Sequence, residues 1–213
     1  ADVWMHLTAR GIRRLSRHHV RLSHPEAIEP LRRISVVCTE QETLFSSHNA
    51  RLYRAFVGHR MVTISDDVEQ APGLSQLIRM AALNADNSAK SAAVLDCLSK
   101  LGIKKEDLLF DMPRIGELAA TEQNISVHLA GDQTLILVSG HWRSVLPLCS
   151  KGNAEEITTA ATVMEAEGLQ VVIVAYRLAD TAPSIYTAEA LAHHLTCAGL
   201  LGLSAPMRDS IRE

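Results

Sequence analysis

The sequence predicts an α/β fold in which an α+β region is inserted between two parts of another domain. Three observations predict it. Ile34-Ser35-Val36-Val37-Cys38 and residues 197–203 are β-rich, mostly apolar runs of the kind buried on both faces. Helical and strand patterns alternate between these two runs, so they bracket a mixed region. Within it, residues 124–130 and 133–138 are strand-like and separated by Gly131-Asp132, the spacing of a tight hairpin.

The elements follow in order. Residues 5–18 predict a basic helix, with Ile12 and Leu15 apolar and arginine at 10, 13, 14 and 17. A second helix is expected from Ser23, where Ser23 and Glu26 have capping-box spacing and Pro25 is tolerated in the first turn. The bracket strand 34–38 then runs into a polar stretch, Thr39-Glu40-Gln41-Glu42-Thr43. Residues 60–65 predict a strand. Helices are expected over 74–85 and 89–101, the second stopped by Gly102. Asn153 and Glu156 form another capping-box pair, opening a helix that Gly168 ends. An apolar strand over 169–176, a loop at 182–184 and the strand at 197–203 complete the chain.

Composition narrows the function classes. The 213 residues are 47% apolar and 21% charged, enough for a real core, but only 4% aromatic. A net charge of −3 argues against nucleic acid as the main partner. Cys38, Cys97, Cys149 and Cys197 are scattered without C-x-x-C spacing, so neither a zinc site nor a disulfide framework is expected, and a reducing compartment fits. No signal peptide is visible, and the apolar runs fall well short of the ~20 residues that cross a bilayer.

Four stretches, in one order and covering nearly the whole chain, carry a family resemblance. Residues 25–31 with 34–40 resemble a helix and strand leading to a D-K-T-G-T loop. Residues 77–93 are similar to a helix pair carrying a D-P-x-E segment. Residues 117–146 resemble a P-F-x-S-x-x-K-x-M-S-V strand, a hairpin and a V-K-G-A segment. Residues 164–177 resemble M-x-x-x-G-L-R-V-L-x-x-A-Y-R, and residues 199–208 resemble G-L-x-G-x-x-D-P-x-R. In this order they resemble P-type cation-transporting ATPases, in which an inserted nucleotide-binding domain splits a haloacid-dehalogenase-like phosphorylation domain.

The resemblance implies an antiparallel sheet flanked by helices, bracketed by incomplete phosphorylation-domain segments. It implies a stalk helix and first segment over 1–48, a nucleotide-binding-like domain over 49–190, and the start of a second segment over 191–213. It also implies eroded chemistry. Glu40 stands at the phosphorylated-aspartate position, where the extra methylene displaces the oxygen by roughly 1 Å or more in a reaction that depends on positioning. Gln41 replaces the following lysine, and Glu42 adds negative charge where a phosphate would sit. A polar loop after a strand explains these residues without catalysis, and Glu40 is expected to be inactive.

The implied ATP pocket is degenerate as well. Leu118 replaces the adenine-stacking phenylalanine and offers no π face. Gln123 and Glu122 replace cations, and Ser139 replaces the lysine before the retained Gly140. Gln170 replaces an arginine, and Lys90 falls where the family has an acid. ATP is therefore expected to bind weakly or not at all, and Mg²⁺ is expected only if a full-length protein is active. The chain itself predicts no metal site.

Other residues have a bland and a sharp reading. His18-His19 and His193-His194 are adjacent pairs, expected at the surface rather than on a metal. Trp142 beside Arg143 has a cation–π partner, whether in simple packing or capping a remodelled pocket. Arg10, Arg13, Arg14, Arg17 and Arg21 make either a solvated helix face or a contact with lipid headgroups. The implied partners are transmembrane and actuator domains of a larger protein, at the cytoplasmic face of a membrane. A pseudoenzyme scaffold or regulatory interaction domain is the alternative role.

Overall fold

The computed structural model of the chain describes residues 2–17, 24, 33–36, 50–64, 73–86, 88–119 and 123–204. The chain divides into two compact units, Ala1–Leu44 and Phe45–Glu213. In the first, the basic helix forms as α1, Asp2–Arg17, with Arg14 and Arg17 in its last turn, where cations complement the helix dipole. The strand expected over 34–38 does not form across 34–36. Those residues are in no strand, with Ile34 51% and Val36 74% exposed. An apolar run is permissive for a strand, but only neighbouring backbone supplies the ladder, and among the described residues none pairs with 34–36. Residues 37–38, the helix expected from Ser23 and the Glu40 loop lie outside the described residues.

The second unit is an eight-stranded sheet, antiparallel at every pairing but one. Its strands are β1 Arg51–Val57, β2 Arg60–Thr63, β3 Arg114–Ala119, β4 Gln123–Ala130, β5 Gln133–His141, β6 Cys149–Lys151, β7 Gln170–Ala179 and β8 Leu195–Ser204. They lie in the order β2-β1-β8-β7-β5-β4-β3, with the short β6 parallel to the start of β8. The boundary expected at 190–191 falls inside this unit, because β8 is hydrogen-bonded between β1 and β7 in the middle of the sheet.

Helices cover both faces. On one side pack α2 Leu74–Leu83, α3 Ala89–Lys100 and α4 Lys105–Asp111. On the other pack α5 Trp142–Val145, a 3₁₀ turn Leu146–Leu148, α6 Ala154–Ala166 and α7 Ala188–Leu191. The alternation of a strand divides the core between them. Leu135, Leu137 and Val174 face α2, while Ile136, Val138, Ile173 and Ala175 face α6. In α2 the buried residues Leu74, Leu77, Ile78, Ala81 and Ala82 form the i, i+3, i+4, i+7, i+8 stripe of a core-facing helix, and Leu83 at its end is buried too.

The glycine stops act as expected. Gly102, at φ 71°, follows α3, with its N–H on Ser99 O at 2.9 Å and the Ile103 N–H on Leu98 O at 3.3 Å. Gly168, at φ 78°, repeats the arrangement after α6, with N–H groups of Gly168 and Leu169 on Glu165 O and Met164 O at 2.9 and 3.1 Å. Both are Schellman closures, which demand a left-handed residue at that position. The hairpin turns through Gly131-Asp132 with Ala130 opposite Gln133, and only Gly131 takes positive φ. The Asn153 cap also holds, its Oδ1 accepting from Glu156 N at 3.4 Å. Glu156 does not close the expected box, because its carboxylate accepts from His59 Nδ1 at 2.7 Å instead.

Candidate functional site

Two polar clusters flank the end of β5, one on each face of the sheet. On the α6 face, His141 caps α5, its Nδ1 accepting from Arg143 N at 3.3 Å. That short helix turns Trp142 into the core, 6% exposed, and lays the Arg143 guanidinium 4.4 Å from its ring centroid. Glu165 of α6 then takes both. Its Oε1 accepts from Trp142 Nε1 at 2.8 Å and from Arg143 Nη1 at 2.7 Å, and its Oε2 accepts from Arg143 Nη2 at 2.7 Å. His141 Nε2 lies 3.7 Å from the same carboxylate. Hydrogen bonds from Arg143 hold the Glu165 carboxyl below its ordinary value; burial opposes them, and Trp142 adds to the lowering. A forked pair and a cation–π contact thus pin the chain just after β5 to α6.

The opposite face carries Asn84, 1% exposed at the end of α2. Its Nδ2 donates to Asn124 O at 2.9 Å and to Ser139 Oγ at 2.8 Å, and its own carbonyl accepts from Asn124 Nδ2 at 2.6 Å. Next along β4, the fully buried His128 has Nδ1 3.1 Å from Met112 O and Nε2 2.9 Å from Ser126 Oγ. Since a carbonyl only accepts, Nδ1 carries the proton and Nε2 accepts from the hydroxyl. Burial pushes the His128 pKa down, and Arg114 and Lys105 push the same way against the Met112 hydrogen bond. Those two cations close the end of α2. Lys105 Nζ donates to Ala85 O at 2.8 Å, and Arg114 reaches the Leu83 carbonyl. They satisfy helix-end carbonyls that have no partner inside the helix.

The structure divides the residues implied for an ATP pocket between the two faces. Leu118 is half-buried against the α6-side core and pairs with Ile125. Gln123 is directly across from Gly140, and its Nε2 donates to Ser144 O at 3.4 Å on that side. Ser139 is on the other face, bound to Asn84. Gln170, the first residue of β7, is opposite Leu203 of the α2-side core. Lys90 is exposed in the first turn of α3, which packs on that same side. A pocket needs these side chains to converge, and they do not. They do not fit a single family-like nucleotide cleft. Glu40 and Glu122 lie outside the described residues.

The histidine pair 193–194 is in no helix, and the two rings meet edge to face at 5.3 Å. Among the described residues no group of three or more His, Cys, Asp or Glu is placed to hold a metal ion. Cys97, Cys149 and Cys197 are free thiols; burial pushes Cys149 up to about 11 and Cys197 up to about 12. Glu165, Asn84 and Asn124, the organising residues of the two clusters, were not singled out by the sequence. Their partners are 22 to 55 residues away, and no local pattern marks them.

Fold and clusters together define an open antiparallel α/β sheet protein, covered by helices on both faces. Among the described residues no helix is long and apolar enough to cross a membrane. No protein-family model and no curated protein matches the chain.

Proposed function

We propose that this chain descends from the nucleotide-binding and phosphorylation region of a P-type cation-transport ATPase and no longer binds nucleotide in that family's way. Its role is that of a pseudoenzyme scaffold or regulatory interaction domain within a larger membrane protein, at the cytoplasmic face. The antiparallel sheet flanked by helices supports the ancestry, as do the four sequence stretches.

One observation carries the loss of nucleotide binding. Ser139, at the resembled lysine position, is bound to Asn84 on one face of the sheet, while Leu118, at the stacking position, packs into the other. A polyanion also gains little from Arg143, because Glu165 already takes both of its Nη groups. Electrostatic capture of a triphosphate needs cations whose charge is still available to it.

Calorimetry of the chain with ATP and with ADP tests the reading. The expected result is no heat of binding at affinities tighter than about 1 mM, or roughly −4 kcal/mol. Saturable binding tighter than that overturns the loss of the site and restores the view of a working nucleotide domain.

A further inference from the structure

We infer that α1 is a surface-seeking helix whose partner is the anionic face of a lipid bilayer. At 3.6 residues per turn, positions 4, 7, 8, 11, 12 and 15 share one side of Asp2–Arg17, and positions 2, 3, 6, 10, 13, 14 and 17 share the other. The first side reads Trp, Leu, Thr, Gly, Ile and Leu; the second reads Asp, Val, His and four arginines. The helix contains a single acidic residue, Asp2. Arg10, Arg13, Arg14 and Arg17 are exposed, whereas Ile12 and Leu15 are half-buried.

Charge complementarity selects the occupant. An amphipathic helix whose polar side is dominated by arginine, with Trp and Leu opposite, lies in the plane of a membrane interface. Its apolar side sinks into the acyl boundary while its arginines stay among the headgroups. Arg10, Arg13, Arg14 and Arg17 stand exposed within about two turns, a density of cationic charge that packing on its own domain does not require. An anionic surface attracts each of them, and the attraction falls with salt. The bilayer source, rather than a free phosphate, is required by the apolar side, which a soluble anion leaves in water.

The test is co-sedimentation of the full chain with vesicles of phosphatidylcholine alone or containing roughly a third phosphatidylserine. Trp142 is buried, so a blue shift of tryptophan emission on mixing reports Trp4. Binding is expected to the anionic vesicles only, to weaken as salt rises, and to fall by roughly fivefold for each arginine neutralised. Arg13→Glu with Arg14→Glu should abolish it, and Trp4→Phe should remove the blue shift while most of the binding remains. Binding that is indifferent to lipid charge overturns the inference, as does binding that survives the arginine reversals. Self-association through α1 without vesicle binding overturns it too. Circular dichroism of the double variant guards against simple unfolding: loss of binding with the helical signal retained supports the inference, and loss together with the fold is decided by the salt dependence of the parent chain.

Discussion

Arg143 and Glu165 face each other as a fork, with two N–H···O contacts of 2.7 Å joining the turn after β5 to the body of α6. The same carboxylate holds the Trp142 indole, so one side chain of α6 fixes the position of an otherwise short and marginal helix. Arg143 is more than half exposed, which limits the strength of the pair. Glu165→Ala is therefore expected to cost about 1–2 kcal/mol, most of it through the buried Trp142 bond. The melting temperature should fall by several degrees and Trp142 emission should shift to the red. The carboxyl titrates below its ordinary 4.5 when folded, so its contribution is present above that value and is lost as pH falls through the lower folded value. An unchanged melting temperature and emission in the variant would show that the fork holds nothing.

His128 should make the fold acid-sensitive at a higher pH. Its folded pKa is depressed below 6.5, so the unfolded chain takes up a proton more readily than the folded one. The stabilising contribution is complete above about pH 6.5, declines as pH falls through that value, and levels off below the depressed folded value. Urea midpoints measured from pH 8 down to 5 should slope downward. His128→Gln should flatten that slope even if it lowers every midpoint.

Ser139→Lys restores the residue type of the resembled motif and offers a sharp contrast. The new ammonium would enter the face occupied by Asn84 and Asn124, displacing a hydrogen bond and burying a charge beside a helix end already held by Lys105 and Arg114. A loss of about 2–4 kcal/mol is expected with no gain of ATP affinity. Asn84→Ala should cost about 2–3 kcal/mol, since it removes the donor to Asn124 O and Ser139 Oγ, while the main-chain carbonyl that accepts from Asn124 Nδ2 stays. Denaturant titration with calorimetry reads both variants. A Ser139→Lys protein that is stable and binds ATP would refute the assignment of faces.

Two glycines should respond unequally to alanine. A Cβ on Gly199 would stand 2.5 Å from the Phe56 backbone oxygen, and its φ of 156° is one that side chains rarely adopt. Neither the central strand nor β1 can give way, so a loss of about 2–3 kcal/mol is expected. A Cβ on Gly116 would meet the Tyr186 ring at 2.1 Å, but that ring is 39% exposed and can swing out. The cost there should stay near 1 kcal/mol. Equal melting temperatures for the two variants would contradict this ordering.

Much of the fold was legible in the sequence because much of it is local. The helix over α2, the Asn153 cap, the stops at Gly102 and Gly168 and the Gly131-Asp132 turn each depend on residues within a turn or two. Strands β1 and β3 and helix α4 were not anticipated. Arg51 and Arg54 interrupt the apolar pattern of β1, and Gly116 interrupts that of β3, so neither reads as a clean strand. The error at residues 34–36 has the reverse cause: the composition suits a strand, but among the described residues none pairs with them.

The candidate site was far less legible. A motif in linear order names residue types but does not say which side of a sheet each will face. Leu118 and Ser139 are separated by a turn and a hairpin, and their relative faces depend on the pairings of Leu118 with Ile125 and of Asn124 with Ser139. Chemistry and periodicity along the chain determined the longer helices and their ends, and the residue types at the resembled positions. Only strand register and long-range packing decided that those replacements lie on two faces, and that Asn84 and Glu165, distant in sequence, organise them. A side chain's direction in a sheet alternates residue by residue, so its neighbours are known only once every strand has found its partner.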